Sequence, residues 1–498
     1  MTTRCFSVLY VLCLLWTHAL AQPTADNFKT IDDSIEALMP EWHIPGCTVA
    51  IVYKDSIVHA KAFGSRDLGR HLPVTTETVF RIGSLTKSFT ALSCAILQDR
   101  KKLDLDKPIH SYFKDFLMYN DELTGGTTTR DLLSHRTGLP RYDKLTDYNS
   151  FSTQDVYHRL RYLEPTKSFR SAFQYTNLMY EMAGLILEKR SGESWSGFIE
   201  HNITSPLGMT HTYFDLRHYE ASTDRAMPYD FDDSIIATDN SIDDKDETNA
   251  AGSISSTIGD MSKYAIALLH EGRFAGKNII PKSAIVECFT PNIFTGGLKY
   301  PEIFYESYGL GWFLNSYKGH LRINHEGNYD GFSASVCLLP QDTFAIVILT
   351  NMHQTGFVYV SRNLIIDRML GKEITDWNSR IHGNAEKKET EDSLKDTRVT
   401  PSKAKGNTVE LSRYSGTYTN PAFGKIVITA THGGLQYDLN GIETGVLSAC
   451  GEHRFVADLR YDEGMVFTFI QNADKRISAL TLPLEEALGH DIGFIRSK

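Results

Sequence analysis

Cysteine is scarce. Seven residues in a chain of 498, none in a Cys-x-x-Cys pair, exclude a zinc ribbon and a disulfide scaffold as the source of the fold. No Gly-x-Ser-x-Gly elbow occurs, which removes the α/β-hydrolase arrangement of a serine nucleophile. No His-Glu-x-x-His pair occurs either, which removes the zincins. Basic residues never gather into a stripe interleaved with aromatics, and the formal net charge is −10, so nucleic acid is excluded as a partner. Beyond the first 21 residues no apolar run approaches the ~20 residues of a membrane-spanning helix. There is no internal repeat and no dominant low-complexity tract. What remains is a globular chain with 41% apolar residues, enough for a large core without metal or staples.

The beginning of the chain reads as a secretory signal over residues 1–21. Arg4 supplies the positive charge, Cys5 to Trp16 is a short apolar run, and Ala19-Leu20-Ala21 is a small-residue cleavage site before Gln22. A secreted, extracellular protein is expected, with no membrane span in the mature chain. Five cysteines then remain: Cys47, Cys94, Cys288, Cys337 and Cys450. In an oxidising compartment they leave room for one or two bridges, and their odd number leaves at least one thiol over. Asn202-Ile203-Thr204 is a glycosylation sequon, usable where that stretch is exposed.

Strand patterns lie at both ends of the first 375 residues. Cys47 to Tyr53 and Ile57 to Phe63 flank a turn at Lys54-Asp55-Ser56 and form a hairpin that opens the mature protein. His320 to Asn324, Phe332 to Leu339 and Phe344 to Thr350 form a second set. Between them Ser84–Arg100, Tyr180–Lys189 and Ile258–His270 read as helices, as does Val358–Met369 after them. The pattern predicts an α+β domain over 22–375 with a sheet assembled from distant segments. A charged linker is expected over 376–408, and a small all-β domain, sandwich or barrel, over 409–498.

Ser84-Leu85-Thr86-Lys87 places a serine and a lysine three apart at a predicted helix start, on one face. A serine hydroxyl needs a base, and a lysine serves only when burial or nearby positive charge lowers its pKa. The Ser-x-x-Lys spacing recurs at Ser111–Lys114 and Ser402–Lys405, so spacing alone selects nothing. Tyr175-Thr176-Asn177 and His325-Glu326-Gly327 follow downstream. Their decoys, Tyr418-Thr419-Asn420 and His270-Glu271-Gly272, lie in the small β domain and at a helix end. Only Ser84, Tyr175 and His325 occur in order within one domain.

That ordered set resembles the three-part signature of serine β-lactamases and penicillin-binding proteins, Ser-x-x-Lys, Tyr-x-Asn and His-x-Gly. Further pieces resemble the class C-like branch: Phe80 to Ser84, Thr129 to His135 with Gly138-Leu139, Pro206 to Met209, Ala251-Gly252 with Ser256-Thr257 and Asp260, and Tyr308 to Trp312. They span roughly residues 30–370. Tyr414-Ser415-Gly416-Thr417-Tyr418 resembles the lipocalin-like β domain appended to many such hydrolases. Secreted animal members include β-lactamase-like proteins of mollusc shell matrix, the gigasin type, which this chain also resembles.

The resemblance implies a β-lactamase/transpeptidase-like domain, an antiparallel sheet flanked by helices plus a helical subdomain. It implies acylation of Ser84, with Lys87 sharing its proton. Tyr175, as a phenolate or through a proton relay, would be the second base, and a phenolate would need stabilising positive charge from Lys87. Asn177 would hold Lys87 and the substrate amide. The backbone N–H groups of Ser84 and Asn328 would form the oxyanion hole, and Gly327 would leave room for substrate along the strand. His135 and Arg130 would fix loops. Two departures stand out. His325 replaces a lysine and is largely neutral at pH 7, which disfavours β-lactams relative to esters, D-amino-acid peptides or small peptides. Arg170-Ser171 stands where Pro-Gly usually precedes the tyrosine. A small ester, amide or peptide substrate is thus expected, with no metal or other cofactor. The alternative is a catalytically weak binding or shell-matrix protein, with self-association or matrix association open.

Overall fold

The strand segments assemble into one sheet as expected, but a helix comes before them. The computed structural model describes residues 25–238, 249–296, 300–384, 411–432 and 434–497. Helix α1 (Ala25–Glu41) opens it, burying Ile31, Ile35 and Leu38 at helical spacing. The hairpin expected to open the chain follows as β1 (Gly46–Tyr53) and β2 (Ser56–Asp67), turning at Lys54 with φ 55°. Helix α2 (Thr86–Asp99) carries almost no exposed residue, α3 (Asn177–Ser191) packs against it, and α4 (Ile258–Leu269) lies under the sheet. Strands β3 (Phe313–Tyr317), β4 (His320–Tyr329), β5 (Phe332–Leu339) and β6 (Phe344–Thr350) precede helix α5 (Phe357–Met369).

The four late strands and the early hairpin form the centre of one nine-stranded sheet, completed by the short strands Leu72–Pro73, Ile293–Phe294 and Ile303–Tyr308 at its edges; in it β6 pairs antiparallel with β1 and Cys47 lies opposite Thr350. Strands β5 and β6 are buried along their whole length, because helices cover both faces: α4 on one and α1 with α5 on the other. This joining of distant segments accounts for the near-continuous apolar runs Phe332–Leu339 and Phe344–Thr350. Two buried arginines tie β4 to α5 across that packing. Arg322 donates to Asn363 Oδ1 at 2.9 Å, and Arg362 pairs with Glu326, so β4 is fastened to α5 from below.

The tail is a closed eight-stranded antiparallel barrel running from Gly416–Asn420 to Ile492–Arg496, with the last strand pairing back onto the first. Closure removes both sheet edges. The stretch expected to begin the linker is helical over 377–384, with Trp377 buried and donating to Tyr317 Oη at 2.9 Å. Most of the expected linker falls on 385–410, outside the described residues, as do the leader at 1–21 and Ser402–Lys405. All five described cysteines are free, four of them buried, so the bridges for which the sequence left room are not formed.

Candidate active site

Gly83 takes φ +50°, and a Cβ there would lie 2.5 Å from the Asn328 carbonyl oxygen. At Gly327 the approach is closer still, with a notional Cβ 1.8 Å from the Ile82 carbonyl oxygen. Glycine at both positions lets the 82–85 turn lie backbone-to-backbone on β4. Strand β3 pairs with β4 only as far as Asn324, so the edge at Gly327–Asn328 faces that turn. Ser84 sits in a single 3₁₀ turn, Gly83–Leu85, feeding α2, with Lys87 one turn along the helix.

Lys87 is buried, and its Nζ has three neighbours: Ser84 Oγ at 3.0 Å, Asn177 Oδ1 at 2.8 Å and the Ala251 carbonyl oxygen at 2.8 Å. Burial, followed by the Arg141 charge, brings its pKa down to about 7 against the opposing pull of Asp143 and Glu181. A neutral amine has two N–H groups and one lone pair. Asn177 Oδ1 and the Ala251 oxygen can only accept, so they occupy both N–H groups, and the lone pair faces the serine hydroxyl.

Tyr175 is hydrogen-bonded to Ser84. Burial raises its pKa despite that bond and the Arg141 charge, so its hydroxyl stays protonated. Of the two forms the sequence allowed, this favours the relay over the phenolate. The cation acting on it is Arg141, rather than the expected Lys87, whose Nζ lies 4.9 Å from the ring centre. Its loop is pinned from both sides by His135. The His135 carbonyl accepts from Gln174 N at 2.8 Å, and His135 Nδ1 accepts from Thr176 N at 3.2 Å. Where Pro-Gly was missed, Arg170 adopts φ +60° and its guanidinium is gripped by the buried carboxylate of Asp131, which Arg136 also holds. Arg130 instead faces Asp106 and Glu287.

His325 is buried in the middle of β4. Its Nδ1 lies 2.5 Å from the Glu326 carbonyl oxygen, an acceptor, so Nδ1 carries the proton and Nε2 accepts from the Tyr308 hydroxyl at 3.0 Å. Burial, reinforced by Lys87, lowers its pKa to about 4 against the Glu326 charge. The ring is neutral at pH 7, as the Lys-to-His departure led one to expect, and both of its nitrogens are already engaged. The remaining expected residues lie elsewhere or hold backbone. Asn328 Oδ1 accepts from Ser333 Oγ at 2.9 Å, while Asn202 stands in a helical turn donating to the Phe198 carbonyl and accepting from Arg100. The decoys are structural: the Tyr418 hydroxyl closes on Tyr414 inside the barrel, and Ser111 donates to Pro108. Among the described residues no cluster of His, Cys, Asp and Glu could hold a metal.

A family model described as Beta-lactamase matches residues 31–367, the span that builds this site. The chain belongs to the β-lactamase family. A second model, a domain of unknown function (DUF3471), matches 400–495, which includes the barrel. Within the β-lactamase family the chain is 29% identical to an unguisins hydrolase of Aspergillus campestris over 434 residues, 83% of this chain and 79% of that one. It is 27% identical to protein flp of Staphylococcus aureus over 334 residues, 66% of this chain and 64% of that one. In fold it is similar to the octameric penicillin-binding protein homologue from Pyrococcus abyssi, with TM-score 0.61 and 21% identity over 94% of this chain and all of that one. It is likewise similar to a class C β-lactamase, with TM-score 0.56 and 22% identity over 70% of this chain and 96% of that one.

This β-lactamase-family site also contains residues that sequence reading passed over. Arg141 and Asp143 stand on the segment facing Tyr175 and Asn177, with the Arg141 guanidinium 5.5 Å from the Tyr175 ring centre. Their only sequence signal was adjacency to Gly138-Leu139. Tyr308 stood in the stretch that resembles the class C-like branch, without a role of its own, and only the fold brings its hydroxyl to His325.

Proposed function

We propose that this protein is a secreted serine hydrolase that works through an acyl-enzyme on Ser84, cleaving esters or the amide bonds of D-amino-acid-containing or small peptides in preference to β-lactams. The observation that carries the reading is the set of contacts around Lys87: two obligate acceptors use its N–H groups and leave its lone pair on the Ser84 hydroxyl. Its pKa of about 7 matches a general base at neutral pH.

Lys87 would take the Ser84 proton as Oγ bonds to the substrate carbonyl carbon. The resulting oxyanion would face the Ser84 and Asn328 N–H groups. The departing alkoxide or amine would take the Tyr175 hydroxyl proton, and Tyr175 would recover one from Lys87, which holds the proton removed from Ser84, so that Lys87 ends neutral as the leaving group departs. Water entering by the reverse route would free the acyl group. The neutral, fully engaged His325 supplies no cation to a β-lactam carboxylate, which supports ester or peptide substrates. The relative named an unguisins hydrolase points the same way. Secretion rests on the leader at residues 1–21.

The test is intact-protein mass spectrometry after exposure to a fluorophosphonate, with Ser84→Ala alongside. One adduct on the wild type and none on the variant is expected, together with slow or no turnover of a chromogenic cephalosporin. No adduct on folded wild-type protein overturns the reading in favour of a binding or matrix role.

A further inference from the structure

A cleft of about 480 Å³ lies between residues 149–151, the end of the helix Thr153–Arg159 and the barrel, and it shares no residue with the site around Ser84. The chain carries a formal net charge of −10, yet no Asp or Glu lines this cleft. Two cations do, Arg159 from the helix and Lys425 from the barrel, and the amides of Asn149, Asn420 and Asn440 stand around them.

The two walls are fastened to each other. Tyr142 N–H donates to barrel residue Glu485 at 2.7 Å, and Lys144 pairs with Asp462 of the barrel at 2.7 Å. The Tyr148 hydroxyl donates to the same Asp462 carboxylate. At the cleft itself Asn440 Nδ2 donates to the Tyr148 carbonyl at 3.1 Å and to the Phe423 carbonyl at 3.0 Å. The cleft thus belongs to a built joint between the two parts.

Arg159 decides what the cleft fits. Its Nη1 donates to the Pro421 carbonyl at 2.7 Å and the Ala422 carbonyl at 2.8 Å, and the guanidinium lies 3.6 Å from the centre of the Phe151 ring. The two carbonyls use both N–H groups of Nη1, and the ring fixes the plane. What remains is the side formed by Nε and Nη2, which has no partner among the described residues. In Arg130 that same side holds Asp106, at 2.6 and 2.8 Å, and in Arg170 it holds Asp131, at 2.8 and 2.7 Å. No carboxylate fills it in Arg159. Asp155 of the same helix is engaged with Ser152, and burial pulls the Arg159 pKa below its ordinary value against the Asp155 charge. Lys425 is exposed and has no ion pair among the described residues.

We infer that this cleft is a binding site for a small molecule carrying an oxyanion, a carboxylate or a phosphate, seated on the Nε–Nη2 side of Arg159 with Lys425 as the second cation. The ligand spans the joint, so its binding holds the barrel more firmly on the catalytic domain. Nothing in this depends on the chemistry at Ser84.

The probes are inorganic phosphate and citrate, each titrated into the full chain at constant ionic strength set with sodium chloride. Calorimetry is expected to show one saturable site per chain for at least one probe, with a parallel rise in Tm. The tighter probe names the head group. Lys425→Gln should match the wild-type Tm without ligand and bind about tenfold more weakly, Lys425→Arg should bind as wild type, and Arg159→Gln should lose more than tenfold. Absence of saturable binding by both probes overturns the inference, as does an unchanged Kd in Lys425→Gln, whose fold is not at risk because its side chain holds nothing in place.

Discussion

Arg170 donates to Asp131 through both Nε and Nη2, at 2.8 and 2.7 Å, and in doing so closes the loop that delivers Tyr175. The Asp131 carboxylate is buried and also takes Arg136 and the backbone N–H of Thr128. Asp131→Asn should therefore cost about 2–4 kcal/mol, less than for a fully buried pair because Arg170 is half exposed. Turnover should fall with it, measured against Tm. These partners hold the Asp131 pKa below its ordinary value in spite of burial. A carboxyl lowered in the folded state stabilises fully above its unfolded pKa of about 3.9. That share is lost as pH falls through the lower folded value, and the acid limb of the Tm-against-pH curve should flatten in Asp131→Asn.

The acylation rate should follow the neutral fraction of Lys87. It should rise about tenfold per pH unit below pH 7 and level off above, because the pKa is about 7 and only the unprotonated amine accepts the serine proton. Arg141 depresses that pKa, so Arg141→Gln should move the limb to higher pH. His325, lowered to about 4, should add no inflection between pH 5 and 8. Stopped-flow labelling with a neutral ester reads all three.

Gly327→Ala should place a methyl group on the Ile82 carbonyl oxygen, where there is no room. The 82–85 turn and β4 must part by more than an ångström. Activity is expected to fall by about 10²-fold or more, and stability by about 1–3 kcal/mol. Near-wild-type kcat would remove the backbone contact from the mechanism.

Glu485 accepts a hydrogen bond from Tyr142 N, and glutamine can accept the same bond. Glu485→Gln should therefore behave as wild type, whereas Glu485→Ala should lose about 1 kcal/mol, or about fivefold in kcat/KM. Equal loss in both variants would assign the effect to charge instead.

With every described cysteine free, a thiol reductant should leave Tm unchanged, where loss of a native bridge would cost about 2–5 kcal/mol.

Much of this was legible from local pattern. Phe332–Leu339 and Phe344–Thr350 are strands over the spans that their apolar runs marked, and Ser84, Lys87, Tyr175 and Asn177 converge around one buried amine. Helix α1 precedes the hairpin expected to open the mature protein; its signal, Ile31, Ile35 and Leu38 at helical spacing, is only three apolar residues set among charged ones. Arg170 hid in plain view: a Pro-Gly pair fixes a loop through its own backbone, whereas Arg170 does so only once Asp131, 39 residues away, is folded beside it. Tyr308 and Arg141 are of the same kind. Their roles depend on neighbours distant in sequence, and no local pattern encodes those.

The two parts of the chain match separate family models, yet Tyr142, Leu145 and Tyr148 share one apolar cluster with Ala422 and Phe423. The barrel is thus joined to the wall of the candidate cleft by shared core side chains. Exchange of this barrel for another of the same shape would leave Arg141 on an unsupported turn. Recombination between relatives should then keep the cleft wall intact only where the 141–148 segment and its barrel travel together.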